Sequence, residues 1–172
     1  LRPDYIKAVE PYIDAPLVKI LSGVRRCGKS TILEMIQDEL KSRGIEEERI
    51  ISKRYTEMDV DENYTSKEMY AELKNLIADK GRCYLFIDEP QEVDNWEKVI
   101  NSLFESEDVD IYITGSNSKL MSSEISTYLT GRYVSINCYT LSFKEYLECK
   151  GKAETNARDM FDEYLQFGGF PI

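Results

Sequence analysis

Short, largely apolar runs alternate along this chain with longer segments in which apolar residues recur every three or four positions. Runs of the first kind are typical of strands buried on both faces of a parallel sheet, and segments of the second kind of helices with one packed face. The strand-like segments are 17–21, 49–55, 83–87, 109–114 and 133–138. The alternation predicts an α/β fold: a three-layer α/β/α sandwich with a parallel five-stranded sheet between two helix layers.

Capping pairs mark the starts of several predicted helices. A Ser, Thr or Asp followed three residues later by Glu can satisfy the free amides at such a start. Three pairs have this spacing: Thr65 with Glu68, Asp94 with Glu97, and Ser142 with Glu145. The last helix is predicted from about residue 156 to 167, ending at the breaker Gly168-Gly169. Because no strand is predicted after about residue 140, we expect a core at 1–140 and a helical extension at 141–172.

The segment between the first strand and the first long helix fits the P-loop pattern at every fixed position. It reads Gly23-Val24-Arg25-Arg26-Cys27-Gly28-Lys29-Ser30, with Thr31 next in the helix. In such a loop, consecutive amides curl around an anion at a helix N-terminus, which carries partial positive charge. Lys29 is predicted to reach the terminal phosphates and the Ser30 hydroxyl to coordinate Mg²⁺. The stretch from Gly23 to Thr31 is therefore the candidate nucleotide-binding segment.

A second motif places two acids at the end of an apolar run, in Cys83-Tyr84-Leu85-Phe86-Ile87-Asp88-Glu89. Ligands of open α/β sheets bind just outside the carboxyl ends of the strands, which is where these acids would lie. Asp88 is predicted to hold hydrated Mg²⁺, a cation that takes few protein carboxylates and keeps several waters. Glu89 is predicted to orient and polarise the water that attacks the γ-phosphate.

Composition narrows the chemistry that such a site can use. The 172 residues include no histidine and four cysteines without close pairing, which argues against Cys/His zinc sites and excludes His-based catalysis. The 22 basic and 32 acidic residues give a net charge of −10, which disfavours strong nucleic-acid binding by this segment. No stretch has the length of a membrane span and no signal peptide is recognisable, so we expect a cytoplasmic protein without a membrane partner.

The order of the motifs indicates a class of P-loop protein. One strand–helix unit separates the P-loop from the acidic strand, and a fourth strand with polar residues at its end follows. This arrangement resembles the ATPases with an additional catalytic glutamate, a group that includes the AAA-type proteins, whose sheet order would be 5-1-4-3-2. The fourth strand would then point a polar side chain at the γ-phosphate: Ser116 or Asn117, with Thr114 a weaker candidate. A helix N-cap turn over 115–118 is an equal alternative.

Other classes of P-loop protein fit less well. A GTPase would have Asp-x-x-Gly where this chain has Asp88-Glu89-Pro90-Gln91, and it would carry an Asn-Lys-x-Asp motif, which does not occur here. A small-molecule kinase remains an alternative, although only Arg132 stands where such kinases usually carry an arginine-rich lid. A further alternative is a nucleotide-gated switch or oligomerisation module with little turnover of its own.

Six short motifs occur in a fixed order along nearly the whole chain. They are Gly23-Val24-Arg25-Arg26, Phe86-Ile87-Asp88-Glu89-Pro90-Gln91 with Trp96 after it, Ile113-Thr114-Gly115-Ser116-Asn117-Ser118, Leu129-Thr130-Gly131-Arg132, Leu141-Ser142-Phe143-Lys144-Glu145-Tyr146 and Gly168-Gly169-Phe170-Pro171. Together they resemble a family of prokaryotic AAA-like ATPases, relatives of the signalling and archaeal-type ATPases. One departure is Pro90, where the family usually has an aliphatic residue.

The resemblance implies an ATPase that uses ATP and Mg²⁺ and releases ADP. In the family this module is followed by a winged helix and a C-terminal domain related to restriction-type nucleases. The resemblance therefore implies that this chain is a fragment, and that the ATPase module interacts with C-terminal domains of the same protein that are absent from it. Arg132 is the candidate for an arginine that stabilises transition-state charge, in cis or across a subunit contact of a homo-oligomer. The alternative for Arg132 is a surface arginine paired with a nearby acid.

Overall fold

The core of the protein is a five-stranded parallel sheet. The computed structural model describes residues 2–56, 61, 63–116, 127–150 and 157–170. The strands are β1 (Val18–Gly23), β2 (Ile50–Arg54), β3 (Cys83–Asp88), β4 (Val109–Gly115) and β5 (Tyr133–Cys138). Their order is β2-β3-β4-β1-β5, with every pair parallel. The predicted order 5-1-4-3-2 is therefore confirmed.

Helices follow the strands and cover both faces of the sheet. The α-helices are α1 (Pro3–Val9), α2 (Lys29–Ser42), α3 (Ser66–Ile77), α4 (Trp96–Ser106), α5 (Phe143–Cys149) and α6 (Ala157–Phe167). Short 3-10 segments lie at Glu10–Tyr12, Glu47–Arg49 and Pro90–Glu92. Within the described ranges, no helix is both long enough and apolar enough to cross a membrane.

Two separate apolar clusters pack on the two faces of the sheet, as a three-layer fold requires. On one face, α2 packs against strand residues that include Phe86 and Tyr112, whose rings stack with their centroids 4.6 Å apart. On the other face, α3 and α4 pack their apolar sides against alternate residues of the same strands. Strands β1, β3 and β4 are buried along their whole length. The predicted α/β/α sandwich is thus confirmed.

The start of α4 corrects one prediction. Asp94 with Glu97 was expected to cap this helix, but the N-cap residue is Asn95, which has φ 58° and makes no side-chain capping hydrogen bond. The left-handed backbone at Asn95, which asparagine tolerates better than most residues, turns the chain into the helix instead. The other two predicted capping boxes are present, with both reciprocal hydrogen bonds formed at α3 and α5.

The helices after β5 fold back on the chain that precedes them. Helices α5 and α6 share a small apolar cluster, and the amide of Leu141 donates to the carbonyl of Gly169 at 2.6 Å. The Tyr164 hydroxyl donates to the Leu141 carbonyl at 2.8 Å. A Cβ atom on Gly169 would lie 2.1 Å from that same carbonyl oxygen, so only glycine fits there. The Gly168-Gly169 motif therefore closes the helical segment onto its own beginning.

A buried ion pair lies near the amino ends of the strands, away from the P-loop. Lys19 of β1 pairs with Asp110 of β4, and both side chains are almost wholly buried, at 0% and 1% exposed. Asp110 also accepts hydrogen bonds from the Tyr112 hydroxyl at 2.8 Å and from the amide of Asp14 at 3.0 Å. Burial lowers the pKa of Lys19, and the charge of Asp110 opposes that shift.

Candidate functional site

The P-loop connects the end of β1 to the start of α2, and glycine is required at both ends of it. A Cβ atom on Gly23 would lie 2.3 Å from the carbonyl oxygen of Cys138, because β5 runs directly alongside. Gly28, the N-cap of α2, has φ 95°, a conformation that residues with a Cβ rarely adopt. The loop therefore turns tightly and presents the free amides of the first turn of α2 to the carboxyl edge of the sheet.

Lys29 is buried beneath this loop. Its side chain is 5% exposed, and Nζ donates to the carbonyls of Gly23 and Val24 at 3.2 and 3.1 Å. The nearest carboxylate oxygen among the described residues is Glu89 Oε1, at 3.9 Å, which is too far for a hydrogen bond. A buried cation held mainly by neutral carbonyls would gain from a closer anion, such as a phosphate.

Two side chains from neighbouring elements donate hydrogen bonds to Asp88. Ser30, in the first turn of α2, donates its hydroxyl to Asp88 Oδ2 at 2.8 Å. Thr114, near the end of β4, donates its hydroxyl to Asp88 Oδ1. Thr114 lies directly beside Asp88 in the parallel register of β3 and β4. The two predicted metal-binding residues, Ser30 and Asp88, are thus in direct contact.

Glu89 follows β3 in a strained backbone conformation. Its φ of 56° is unusual for a residue other than glycine, and such outliers are concentrated at functional sites. The Glu89 amide donates to the Thr114 hydroxyl at 3.2 Å, and Glu89 Oε2 accepts a hydrogen bond from Gln91 Nε2. The Glu89 side chain is 27% exposed, so a carboxylate oxygen can reach solvent beside Asp88.

The candidates for the polar side chain that faces the γ-phosphate lie at the same edge of the sheet, where the structure describes them. Ser116 directly follows β4, while Asn117 lies outside the described residues. Thr114, which the sequence ranked third, is fully buried and touches both Asp88 and Glu89. Because Thr114 lies within an apolar strand, the sequence did not single out its contacts with both acids. Its position beside Asp88 does follow from the predicted strand order.

Arg132 does not reach this site within its own chain. It precedes β5, and its carbonyl accepts from the amide of Val18 at the start of β1, so it lies at the amino edge of the sheet. A strand of this length separates the two edges by roughly 17 Å, at about 3.3 Å per residue. The Arg132 side chain is 46% exposed and pairs with Glu105 of α4. Within one copy of the chain, Arg132 and the P-loop therefore lie at opposite edges of the sheet.

Two arginines that the sequence analysis did not select lie near the P-loop edge. Arg54 ends β2, next to β3, and its Nε lies 3.8 Å from Asp88 Oδ2. Arg54 lies at the carboxyl end of a predicted strand, and this position could have indicated that it is near the site. Arg2 is 93% buried, being only 7% exposed, and donates to the P-loop carbonyl of Cys27 at 2.9 Å and to Glu145 Oε1 at 2.8 Å.

Arg2 links the P-loop to the segment after β5. The same guanidinium group donates to the carbonyl of Tyr139 at 2.8 Å, and its carbon lies 4.5 Å from the centroid of the Tyr5 ring. Burial of Glu145 by itself would raise its pKa, but hydrogen bonds from the Ser142 amide and from Arg2 outweigh it, and the pKa is lowered. The contacts of Arg2 with Tyr139 and Glu145 join partners more than 100 residues apart, so the sequence carried no local signal for them.

A groove of about 750 Å³ opens beside the P-loop. It is lined by α1, by the end of β5 with residues 139–142, and by α5, and Arg2 lies between it and the P-loop. Burial raises the pKa of the nearby Cys138 thiol to about 12, so this thiol stays neutral. The groove is large enough for a ligand the size of a nucleoside.

These residues fit a magnesium-bound nucleoside triphosphate. The turn at Gly28 frees amides for an anion, and among the described residues the carboxylate oxygen nearest to the buried Lys29 Nζ is 3.9 Å away, on Glu89. A hydroxyl and a carboxylate, from Ser30 and Asp88, already converge. Oxygen donors of this kind suit Mg²⁺, which takes one or two carboxylates and keeps its remaining waters.

Comparison with known proteins agrees with this arrangement. Residues 15–147 match the family model AAA_14, described as an AAA domain. The chain therefore belongs to this family of AAA domains, the P-loop class that the fold and the site define. An uncharacterised protein of Haemophilus influenzae is 37% identical over 178 residues, which is 99% of this chain and 43% of that protein. One of Methanocaldococcus jannaschii is 36% identical over 170 residues, 90% of this chain and 35% of that protein.

Three solved structures with the same fold come from other organisms. AMPPCP-bound DnaA from Aquifex aeolicus has a TM-score of 0.59 and 15% identity, covering 98% of this chain and 57% of DnaA. A protein related to the DNA polymerase III gamma subunit, from Thermotoga maritima, has a TM-score of 0.60 and 9% identity, covering 94% and 53%. The Aeropyrum pernix ORC1 protein in complex with DNA has a TM-score of 0.55 and 12% identity, covering 87% and 49%. These likenesses show the AAA-type ATPase fold.

Proposed function

We propose that this chain is a Mg²⁺-dependent ATPase that uses a carboxylate to activate the attacking water. The observation that carries the proposal is the meeting of Lys29, Ser30, Asp88 and Glu89 at one edge of the sheet, beside the free amides of α2. Phosphoryl transfer needs a phosphate cradle, a metal site and a group that orients water, and these residues supply the three.

Each residue has a separate task in the proposed reaction. Lys29 and the loop amides hold the phosphates, while Ser30 and Asp88 hold the metal. Bound Mg²⁺ would neutralise negative charge on the β- and γ-phosphate oxygens. Glu89 accepts a proton from the attacking water, and Thr114 supports both acids through its two hydrogen bonds. Catalysis of this kind consists mainly of positioning and electrostatic stabilisation.

The base and ribose of the nucleotide are proposed to lie in the groove beside the P-loop. The groove borders the loop through Arg2, and its size suits a nucleoside. Adenine is favoured because the guanine-reading motif does not occur in the sequence. The AMPPCP-bound state of the DnaA structure, an ATP analogue complex on the same fold, supports this choice by analogy.

The output of ATP binding is proposed to lie in further domains. The chain spans less than half the length of the two curated relatives that it matches. We propose that residues 1–140 form the ATPase core and that the extension at 141–172 connects it to an effector domain, within a cytoplasmic protein. The hydrogen bonds from Arg2 to both the P-loop and Glu145 support such a connection.

Loss of the lysine tests nucleotide binding directly. We expect Lys29→Ala to weaken Mg–ATP binding roughly 10- to 100-fold, because a charge-assisted hydrogen bond contributes about 1.5–3 kcal/mol. Isothermal titration with Mg–ATP measures the affinity, and Lys67→Ala, at an exposed position of α3, is the matched control. Parent protein that shows no binding heat and no thermal stabilisation at millimolar Mg–ATP would refute the proposal.

A nucleotide-gated module with little turnover alone is the second candidate, and the position of Arg132 favours it. An arginine at the amino edge of the sheet can serve only the site of another copy. If it does, phosphate release per molecule should rise steeply with protein concentration in the parent and stay low in Arg132→Ala. A specific activity that is flat across concentration, and equal in the two proteins, would leave Arg132 with only its surface contacts to Glu105 and Asn101.

A further inference from the structure

Gln91 has an unusual environment for an amide beside a catalytic acid. Its nitrogen Nε2 donates to Glu89 Oε2, whereas its oxygen Oε1 is buried and has no hydrogen-bond partner among the described residues. A carboxylate can only accept hydrogen bonds, so the amide must turn its nitrogen toward Glu89. Glu89 thus sets the orientation of the amide, and the oxygen is left unpaired as a result.

The backbone between the two residues is built to bring them together. Glu89 adopts the left-handed region at φ 56°, a strained conformation for a residue with a side chain. Pro90 then begins the 3-10 segment Pro90–Glu92, since proline has no amide hydrogen to satisfy and a φ suited to that position. The strained turn and the unpaired oxygen both cost stability, which indicates that the Glu89–Gln91 contact serves another purpose.

We propose that Gln91 is a positioning residue for Glu89: it fixes the carboxylate through Oε2 and leaves Oε1 to accept the proton of the attacking water. This inference rests on the proposed ATP hydrolysis. Lys29 cannot take the same part, because its Nζ lies 3.9 Å from Glu89 Oε1 and is required at the phosphates. A carboxylate held at one oxygen keeps the other in a fixed direction, which positioning of a reacting water demands.

Two substitutions test this role without changing the volume of the site greatly. Gln91→Met removes both the donor and the unpaired oxygen, and Gln91→Glu keeps the shape but replaces the donor with a second carboxyl group beside Glu89. For both we expect kcat to fall roughly 10- to 100-fold, since small losses of alignment have effects of this size, and Gln91→Met should keep the Mg–ATP affinity of the parent. The Tm of Gln91→Met should stay level or rise, because a buried unpaired oxygen is lost. Gln166→Met and Gln166→Glu, at an exposed position of α6, should match the parent throughout.

A Gln91→Met protein that hydrolyses ATP as fast as the parent would overturn the proposal. A fall of its Tm together with kcat would do the same, since that is the mark of a purely structural residue. A double-mutant cycle of Glu89→Ala and Gln91→Met, followed by thermal unfolding without nucleotide, separates this inference from the ATPase proposal. Non-additive Tm shifts are expected; additive shifts overturn the positioning contact, whereas a parent without turnover overturns the proposed function alone.

Discussion

Glu89→Gln is expected to bind Mg–ATP like the parent and to lose nearly all turnover. The substitution keeps the size of the side chain and an oxygen that can accept the hydrogen bond from Gln91, but it removes the negative charge and the basicity. A general base contributes about 10² to 10⁴ in rate, so kcat should fall at least about 100-fold. Steady-state phosphate release gives kcat, and equilibrium titration gives the affinity.

The control for this experiment is Glu34→Gln, the same chemical change at an exposed position on α2. It should leave both binding and turnover unchanged, because a solvated carboxylate on the outer face of α2 has no part in the site. Hydrolysis by Glu89→Gln at the rate of the parent would remove the water-activating role from Glu89. A joint loss of binding and turnover would instead assign Glu89 to holding the nucleotide.

Asp110→Asn is expected to destabilise the fold strongly, because it leaves the ammonium of Lys19 buried without its carboxylate. Removing one partner of a buried pair costs about 3–5 kcal/mol. In a chain of this size that lowers the Tm by roughly 6–20 °C. The double substitution Lys19→Met/Asp110→Asn should recover most of the loss, since it removes the unpaired buried ammonium and leaves an amide oxygen that can still accept from the Tyr112 hydroxyl.

The loss in Asp110→Asn should also depend on pH in a defined direction. Burial lowers the pKa of Lys19 below its value of 10.5 in the unfolded chain, and without Asp110 the main group that opposes this shift is lost. Between the two pKa values the unfolded state binds more protons, so the stability of the variant rises as pH rises toward 10.5. Denaturant unfolding at several pH values measures this slope. The surface pair Lys74–Glu107, which is only partly buried, is the control: Glu107→Gln should cost at most about 1 kcal/mol.

The sheet and the principal site residues could be predicted because their signals are local. A buried parallel strand has a continuous apolar run, and the P-loop and the acidic pair each follow such a run directly. Once the strand order is given, Ser30 at the start of α2 and Asp88 at the end of β3 must both lie at the carboxyl edge of the sheet. Their hydrogen bond of 2.8 Å is the direct result of that topology.

The features that the sequence did not reveal depend on backbone detail or on distant parts of the chain. The Glu89–Gln91 contact requires a left-handed residue that no propensity assigns to glutamate. Arg2 meets Cys27 and Glu145 only after the whole domain has folded. Arg132 is different, because an arginine that precedes a parallel strand must lie at the amino edge, and strand polarity alone argues against a role in cis.

The hydrogen bond between Leu141 and Gly169 ties together two points of the backbone that are far apart in sequence. A displacement of Leu141, which follows the segment contacted by Arg2, must therefore move Gly169 directly, however α5 and α6 bend between them. In the same way, a displacement of Phe170 can be passed to the end of β5 through this hydrogen bond, without a change in either helix. Substituting Gly169 by alanine is expected to break this connection, because the added methyl group would lie 2.1 Å from the carbonyl oxygen of Leu141.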